Sequence, residues 1–175
     1  MKVRMFMALS PNGYAARENG SEDWVSGANW PIFSGMAHEA DNLVIGRETY
    51  ELIKSLYGDD MDLDDVPAQH KIIVTRNEAY ECPLGYTVCH NPQAAVDYLA
   101  GKGVKTTFLT GGGKLNASFL EAKLVDEIVL VVEPHIIGTG RPAMAPGNYE
   151  LSLQLKSTTQ LDGERVQLEY KVKRK

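Results

Sequence analysis

Apolar residues along the chain fall in short runs punctuated by turn formers, and the spacing inside each run predicts the element it forms. Val3 to Leu9 is an apolar run closed by Pro11, Asn12 and Gly13, which predicts a strand and a turn. Tyr14 to Trp24 carries no period and reads as irregular. After Pro31, Ile32, Phe33, Met36 and Ala40 recur at helical spacing, so a helix ending near Asp41 is expected. Leu43 to Ile45 is a short, wholly apolar strand entering Gly46. Arg47 to Leu56 places Tyr50, Ile53 and Leu56 at helical intervals, with Gly58 as the stop. Lys71 to Thr75 (KIIVT) and Tyr86 to Cys89 read as strands, and Pro92 to Ala100 as a helix closed by Gly101. Thr106 to Leu109 is a strand running into Gly111, Gly112 and Gly113, and a helix carrying Leu115, Phe119 and Ala122 follows.

Asp126 to Val132 (DEIVLVV) is strongly β. Beyond it, Leu151, Leu153 and Leu155 alternate with polar residues, as do Val166, Leu168, Tyr170 and Val172, and the two runs flank Asp162-Gly163. That arrangement predicts an antiparallel hairpin. Short apolar strands alternating with helices, then a terminal hairpin, indicate an α/β fold in three layers, with helices on both faces of a mixed, mostly parallel sheet.

Length and composition narrow this further. At 175 residues the chain can bury one full core, and residues 1–175 read as a single domain with no obvious linker. The net charge is -5, and basic residues are scattered except for Lys171, Lys173, Arg174 and Lys175, which read as a solvated tail; no nucleic-acid partner is expected. No run approaches the roughly 18 apolar residues of a membrane span, and the first residues read as a strand rather than a secretory signal, so a cytoplasmic protein acting on a small molecule is expected. Cys82 and Cys89 form no CxxC, and His38, His70, His90 and His135 have no ligand spacing, so no metal is expected and the thiols read as inert packing groups. The acidic stretch Asp59 to Asp65 lacks the glycine and final glutamate of a calcium loop and reads as a solvated loop.

Two junctions carry candidate chemistry. Gly46-Arg47 and Gly111-Gly112-Gly113-Lys114 both put glycine where a buried strand ends and a helix begins. Backbone N–H groups at a helix start point outward and favour an anion, and glycine lets a phosphate approach closely. Two such junctions at neighbouring strand ends would hold a dinucleotide diphosphate between them. The second is not GxGxxG, which disfavours a standard Rossmann domain. Arg47 and Arg76 would flank the same phosphate, and a planar guanidinium suits a 2′-phosphate, hence NADPH over NADH.

The strings GRETYE, KIIVTR, TFLTGGGKLNASFL and KLVDEIVLVVEPHIIGTGRP resemble the successive cofactor-binding segments of the dihydrofolate reductase superfamily, and most closely the C-terminal reductase domain of the bifunctional riboflavin-biosynthesis deaminase-reductase. SPNGYAA resembles that family's strand-one SxDGxxA motif and SEDWVSG its SxxW-type segment, so the likeness runs from about Met5 to Tyr170. The deaminase signature, HxE with PCxxC, is absent from this sequence. The resemblance implies a dihydrofolate reductase-like fold and an NADPH-dependent oxidoreductase working by hydride transfer. It implies that Gly46, Arg47 and Thr49 bind cofactor phosphates, Thr75 and Arg76 the 2′-phosphate, and Gly111, Gly112, Gly113 and Leu115 the diphosphate, with Ala8 and Ala15 beside the nicotinamide. Asn12, Ser21, Trp24 and Thr110 are the candidates for orienting substrate. No side chain is assigned as catalytic.

The activity it implies is most like that of 5-amino-6-(5-phosphoribosylamino)uracil reductase in riboflavin biosynthesis. Asn12 replaces the family's aspartate and Thr110 a substrate-touching glutamate, so neither position carries charge here. A dihydrofolate or other pteridine reductase is the alternative, although Asn29 to Gly35, where that enzyme keeps a buried acid, holds no carboxylate; Glu22, Asp23 and Glu39 flank the stretch. A non-catalytic NADPH-binding protein is the alternative from another class. The terminal hairpin leaves edges to cover, and related reductases pair, so a homodimer is expected.

Overall fold

The computed structural model describes residues 1–58 and 63–174. Eight strands form one sheet in the order β5-β4-β3-β6-β1-β7-β10-β9, built from β1 (Lys2–Leu9), β3 (Asn42–Gly46), β4 (His70–Val74), β5 (Tyr86–Cys89), β6 (Thr106–Leu109), β7 (Glu127–Val132), β9 (Ser152–Gln160) and β10 (Val166–Lys173). β5 to β7 run parallel, whereas β10 is antiparallel to β7 and to β9. Helices α1 (Trp30–Ala40), α2 (Arg47–Tyr57), α3 (Pro92–Gly101) and α4 (Gly113–Glu121) link the parallel strands.

Side-chain alternation along the strands divides the core into two halves, as a doubly covered sheet requires. Met5, Met7, Val44, Ile72, Leu109 and Ile128 pack under α3 and α4 with Ala95, Leu99 and Phe119. The intervening residues Phe6, Leu43, Ile45, Ile73, Phe108 and Val129 pack under α1 and α2 with Ala37 and Tyr50. The three-layer α/β/α architecture follows directly, and the central strands read as uninterrupted apolar runs because both of their faces are buried.

Several local expectations change. The segment read as irregular after Gly13 begins with a short strand, β2 (Tyr14–Ala16), paired with β8 (Arg141–Pro142) in a separate two-stranded sheet. Three-residue strands have too little length to show a period. Gly101 is the last residue of α3 rather than its closure, and the turn is made by Gly103 at φ +79°. Of the acidic stretch, residues 59–62 lie outside the described residues, while Leu63–Asp65 form a 3-10 turn rather than a solvated loop, because Leu63 is 2% exposed in the core. Lys171 and Lys173 belong to β10 and Arg174 pairs with Asp126 at 2.5 Å, so these residues are not a free tail; Lys175 lies outside the described residues. Cys89 is buried, and burial pushes its thiol up, but Cys82 is exposed.

The terminal hairpin forms around Gly163 at φ +91°, with a register shift between Glu169 and Tyr170. Its outer strand β9 is exposed at every position, including Leu153 and Leu155. No helix among the described residues is long and apolar enough to cross a membrane.

Candidate functional site

Parallel strands place the carboxyl ends of β4, β3, β6, β1 and β7 along one edge of the sheet, and the candidate residues Gly46, Arg47, Thr75, Arg76 and Thr110 to Gly113 lie at or directly after the ends of β3, β4 and β6. The edge divides into two ends, one built from glycine-led helix starts and the other from loops packed over β1 and β7.

At the first end, β3 and β6 are neighbours, so the two glycine junctions lie side by side. Gly46 N donates to the Gly111 carbonyl at 2.8 Å, and Thr110 N and Oγ1 both donate to the Val44 carbonyl, at 3.0 and 3.1 Å. Gly112 N donates to Thr49 Oγ1 at 3.0 Å, which ties α4's start to α2's first turn. Thr49 thus acts through the loop, and two of the N–H groups expected to face an anion are spent on this internal stitching. The remaining first-turn groups are favourably placed, because α2 and α4 start at Gly46 and Gly112 with no capping side chain. Gly111 needs its φ of +91°, a Cβ at Gly112 would stand 2.5 Å from Thr49 Oγ1, and one at Gly113 would stand 2.2 Å from the Pro142 carbonyl oxygen. A Cβ at Gly46 would meet nothing closer than 3.5 Å. Backbone conformation at Gly111 and packing at Gly112 and Gly113 therefore require the triple glycine, while the freedom at Gly46 goes unused by the protein itself. Leu115 is buried in the core, its Cβ 3.5 Å from where a Cβ at Gly46 would stand.

Charge at this end is positive but matched. Arg47 pairs with Glu51 at 3.1 Å and lies 5.9 Å from the Tyr80 ring, which rises from the loop after β4. Lys114 pairs with Glu48 at 2.8 Å; that hydrogen bond, opposed by burial and helped by the charges of Arg47 and Arg141, holds the Glu48 carboxyl below its ordinary range. Thr75 is buried and its Oγ1 accepts from Asn77 N at 3.1 Å, which turns the chain so that the exposed Arg76 follows β4 as Arg47 follows β3. Arg47 and Arg76 are thus on adjacent strand ends.

At the second end, the segment after β7 gathers the substrate candidates. Asn12 Nδ2 donates to the Ile137 carbonyl at 2.7 Å, and Trp24 stacks on His135 with ring centres 5.8 Å apart. Trp24 Nε1 is buried with no partner among the described residues. Ser21 is drawn elsewhere, into a surface cluster where its Oγ and Arg17 both meet Asp23. Thr110 is removed from this group too, being bonded to β3. Ala8 sits on the β1 face shared with Phe6, whereas Ala15 is buried with Leu9 and Ala143 in the opposite half of the core, so the two methyls do not share a wall. Burial raises the Glu22 carboxyl to about 7.

A buried network beneath this end went unread in the sequence. Glu133, the residue after β7, is 2% exposed and accepts from Asn29 Nδ2 at 2.5 Å and from Ser26 N at 3.2 Å. Arg165, 6% exposed, donates to Asn29 Oδ1 at 2.6 Å and to Asp162 at 2.8 Å, with Glu133 3.7 Å away. The only signals were a carboxylate ending the apolar run EIVLVVE and an arginine beside the hairpin turn. Nothing in spacing joins positions 29, 133 and 165. No cluster of metal-binding side chains occurs among the described residues.

Residues 1–168 match the family model described as the RibD C-terminal domain. A solved structure named for riboflavin biosynthesis, from Shewanella sp. PV-4, superposes with a TM-score of 0.79 at 24% identity, over 99% of this chain and 100% of that one. The diaminohydroxyphosphoribosylaminopyrimidine deaminase/5-amino-6-(5-phosphoribosylamino)uracil reductase of Thermotoga maritima superposes with a TM-score of 0.74 at 14% identity, over 98% of this chain and 56% of that one. Dihydrofolate reductase from Enterococcus faecalis, complexed with NADP(H), matches with a TM-score of 0.74 at 19% identity, over 98% and 96% of the two chains.

Proposed function

The chain belongs to the RibD C-terminal domain family, and from that premise we propose that it is an NADPH-dependent reductase of a small heterocyclic substrate, most like the reductase of riboflavin biosynthesis. One observation carries the reading: two helix starts without capping side chains lie against each other through the Gly46–Gly111 hydrogen bond, with Arg47 and Lys114 beside them. That arrangement fits a dinucleotide diphosphate, and Arg47 and Arg76 on adjacent strand ends fit a 2′-phosphate. The likeness to a dihydrofolate reductase complexed with NADP(H) supports the same cofactor.

The nicotinamide, when bound, supplies the hydride. This chain's residues hold the phosphates at α2 and α4 and position the acceptor between Asn12 and the Trp24–His135 stack, where the Trp24 N–H can donate to a substrate oxygen or nitrogen. Glu22 favours a second reading, a pteridine reductase, because burial raises its carboxyl to about 7 and it lies two residues before Trp24 in the chain.

Melting curves with NADPH and NADH test the cofactor: NADPH should raise the melting temperature more, and Arg76→Glu should remove most of the difference. Equal shifts would refute the arginine assignment. An NADPH-oxidation screen against riboflavin intermediates, dihydrofolate and small carbonyls then tests turnover, and no oxidation with any of them favours a protein that binds without reacting. The exposed β9, with Leu153 and Leu155 outward, is proposed as the face by which two copies pair. A light-scattering mass of one chain would refute it.

A further inference from the structure

Both cations beside the diphosphate cradle are already held by carboxylates of α2. Lys114, on α4, is bonded to Glu48 across the two helix starts, and Arg47 is bonded to Glu51 one turn along its own helix. Resting on the cofactor reading above, we infer that Glu48 and Glu51 are built-in competitors of the dinucleotide phosphates, which must take Lys114 and Arg47 from them on binding.

Exposure makes that exchange feasible. The Lys114 and Glu48 side chains are 80% and 59% exposed, and those of Arg47 and Glu51 are 32% and 46% exposed, so both pairs are solvated and weakly held. A diphosphate or 2′-phosphate carries more charge than a carboxylate and offers oxygens that match the guanidinium fork, so it wins each cation. The displaced carboxylate stays on the same helix turn and repels the bound anion. Glu48 does so from within α2's first turn, where a negative side chain and a bound phosphate draw on the same unpaired N–H groups. Glu48 and Glu51 therefore set cofactor affinity from the protein's side and favour release. Tyr80, against Arg47, keeps the guanidinium at the mouth of β4 when Glu51 lets go.

The test is NADPH affinity, followed by quenching of Trp24 and Trp30 fluorescence and checked by calorimetry, for the full chain and for Glu48→Gln, Glu51→Gln and the double variant at low and moderate salt. Each amide should tighten NADPH about two- to fivefold, the span of a solvated ion pair, and the double variant by roughly the product. Affinity should also become more salt-dependent as the opposing carboxylates go. Lys114→Met should cost more affinity in the Glu48→Gln background than in the parent, because there the lysine has no carboxylate to leave. Unchanged or weaker binding in both amide variants, with the parent binding NADPH and all melting normally, overturns the inference alone. A parent that binds no NADPH overturns the cofactor reading and the inference together.

Discussion

Replacing Arg165 by methionine keeps the length of the side chain and removes its charge from the network beneath the proposed substrate end. The guanidinium is 6% exposed and makes a 2.6 Å bond to Asn29 Oδ1, a charged hydrogen bond worth about 1.5–3 kcal/mol. Its loss also leaves Glu133, 2% exposed, without the cation now 3.7 Å away. Breaking a buried ion pair costs about 3–5 kcal/mol when nothing else compensates. Here Asn29 Nδ2 and Ser26 N still donate to the carboxylate, so the lower end applies, about 3 kcal/mol. At roughly 2–4 °C per kcal/mol for a domain of this size, calorimetry should show a fall of about 6–12 °C. A cycle with Glu133→Gln separates the pair from the packing: the double variant should be less destabilised than the sum of the singles by about 1 kcal/mol or more. A fall of under about 2 °C for Arg165→Met, or additive singles, would show that the network is not what fastens Ser26 and Asn29 to β7.

Three further outcomes follow from the same structure. Glu22, raised from 4.5 to about 7, is protonated in both states below pH about 4.5, but between 4.5 and 7 only the native state keeps its proton. Stability attributable to it should fall across that window by up to about 3 kcal/mol, and Glu22→Gln should abolish the fall; an unchanged slope would show that the carboxyl is not desolvated. Glu127 behaves oppositely: burial pushes its carboxyl up, but bonds from Lys156, Lys2 and Arg4 together hold it at about 2, so its contribution is present above about 4.5 and lost on acidification toward 2, and Glu127→Gln should flatten the acid limb of a stability profile. Gly101→Ala meets no atom within 4 Å on α3 and should add about 0.5–1 kcal/mol in urea titrations, whereas Gly113→Ala drives a Cβ to 2.2 Å from a backbone oxygen and should cost about 2 kcal/mol or more; similar effects at both positions would contradict the close approach of Pro142 to α4.

The order of elements was legible because both faces of the sheet are covered. Strands such as Leu43–Ile45 and KIIVT must then be apolar throughout, and the helices between them must show a 3.6 period. Legibility stopped where an element is too short for a period, as in β2 and β8, or where alternation does not report burial. Leu153 and Leu155 alternate as a core-facing strand would, yet β9 is exposed throughout. Sequence alternation identifies a strand with an apolar face, and only the fold says whether anything covers it.

The two ends of the site differ in legibility for a related reason. The proposed phosphate cradle at Gly46 and Gly111–Gly113 is built largely of backbone, and backbone exposure at a strand-to-helix junction requires particular residues in a contiguous string, which the sequence displays directly. The proposed substrate end is made by side chains brought together across the fold: Asn12 with Ile137, Trp24 with His135, Asn29 with Glu133 and Arg165. No local rule couples such positions. Asn12, at this end, keeps its hydrogen bond to the scaffold without carrying charge. Under the proposed function, a cofactor end built of backbone and a substrate end built of side chains would let cofactor binding and substrate choice be altered separately. On that proposal, variants at Trp24, whose N–H is buried without a partner among the described residues, should alter turnover among candidate substrates while leaving NADPH affinity unmoved. A Trp24→Phe variant that loses NADPH affinity in proportion to turnover would refute this separation of the two ends.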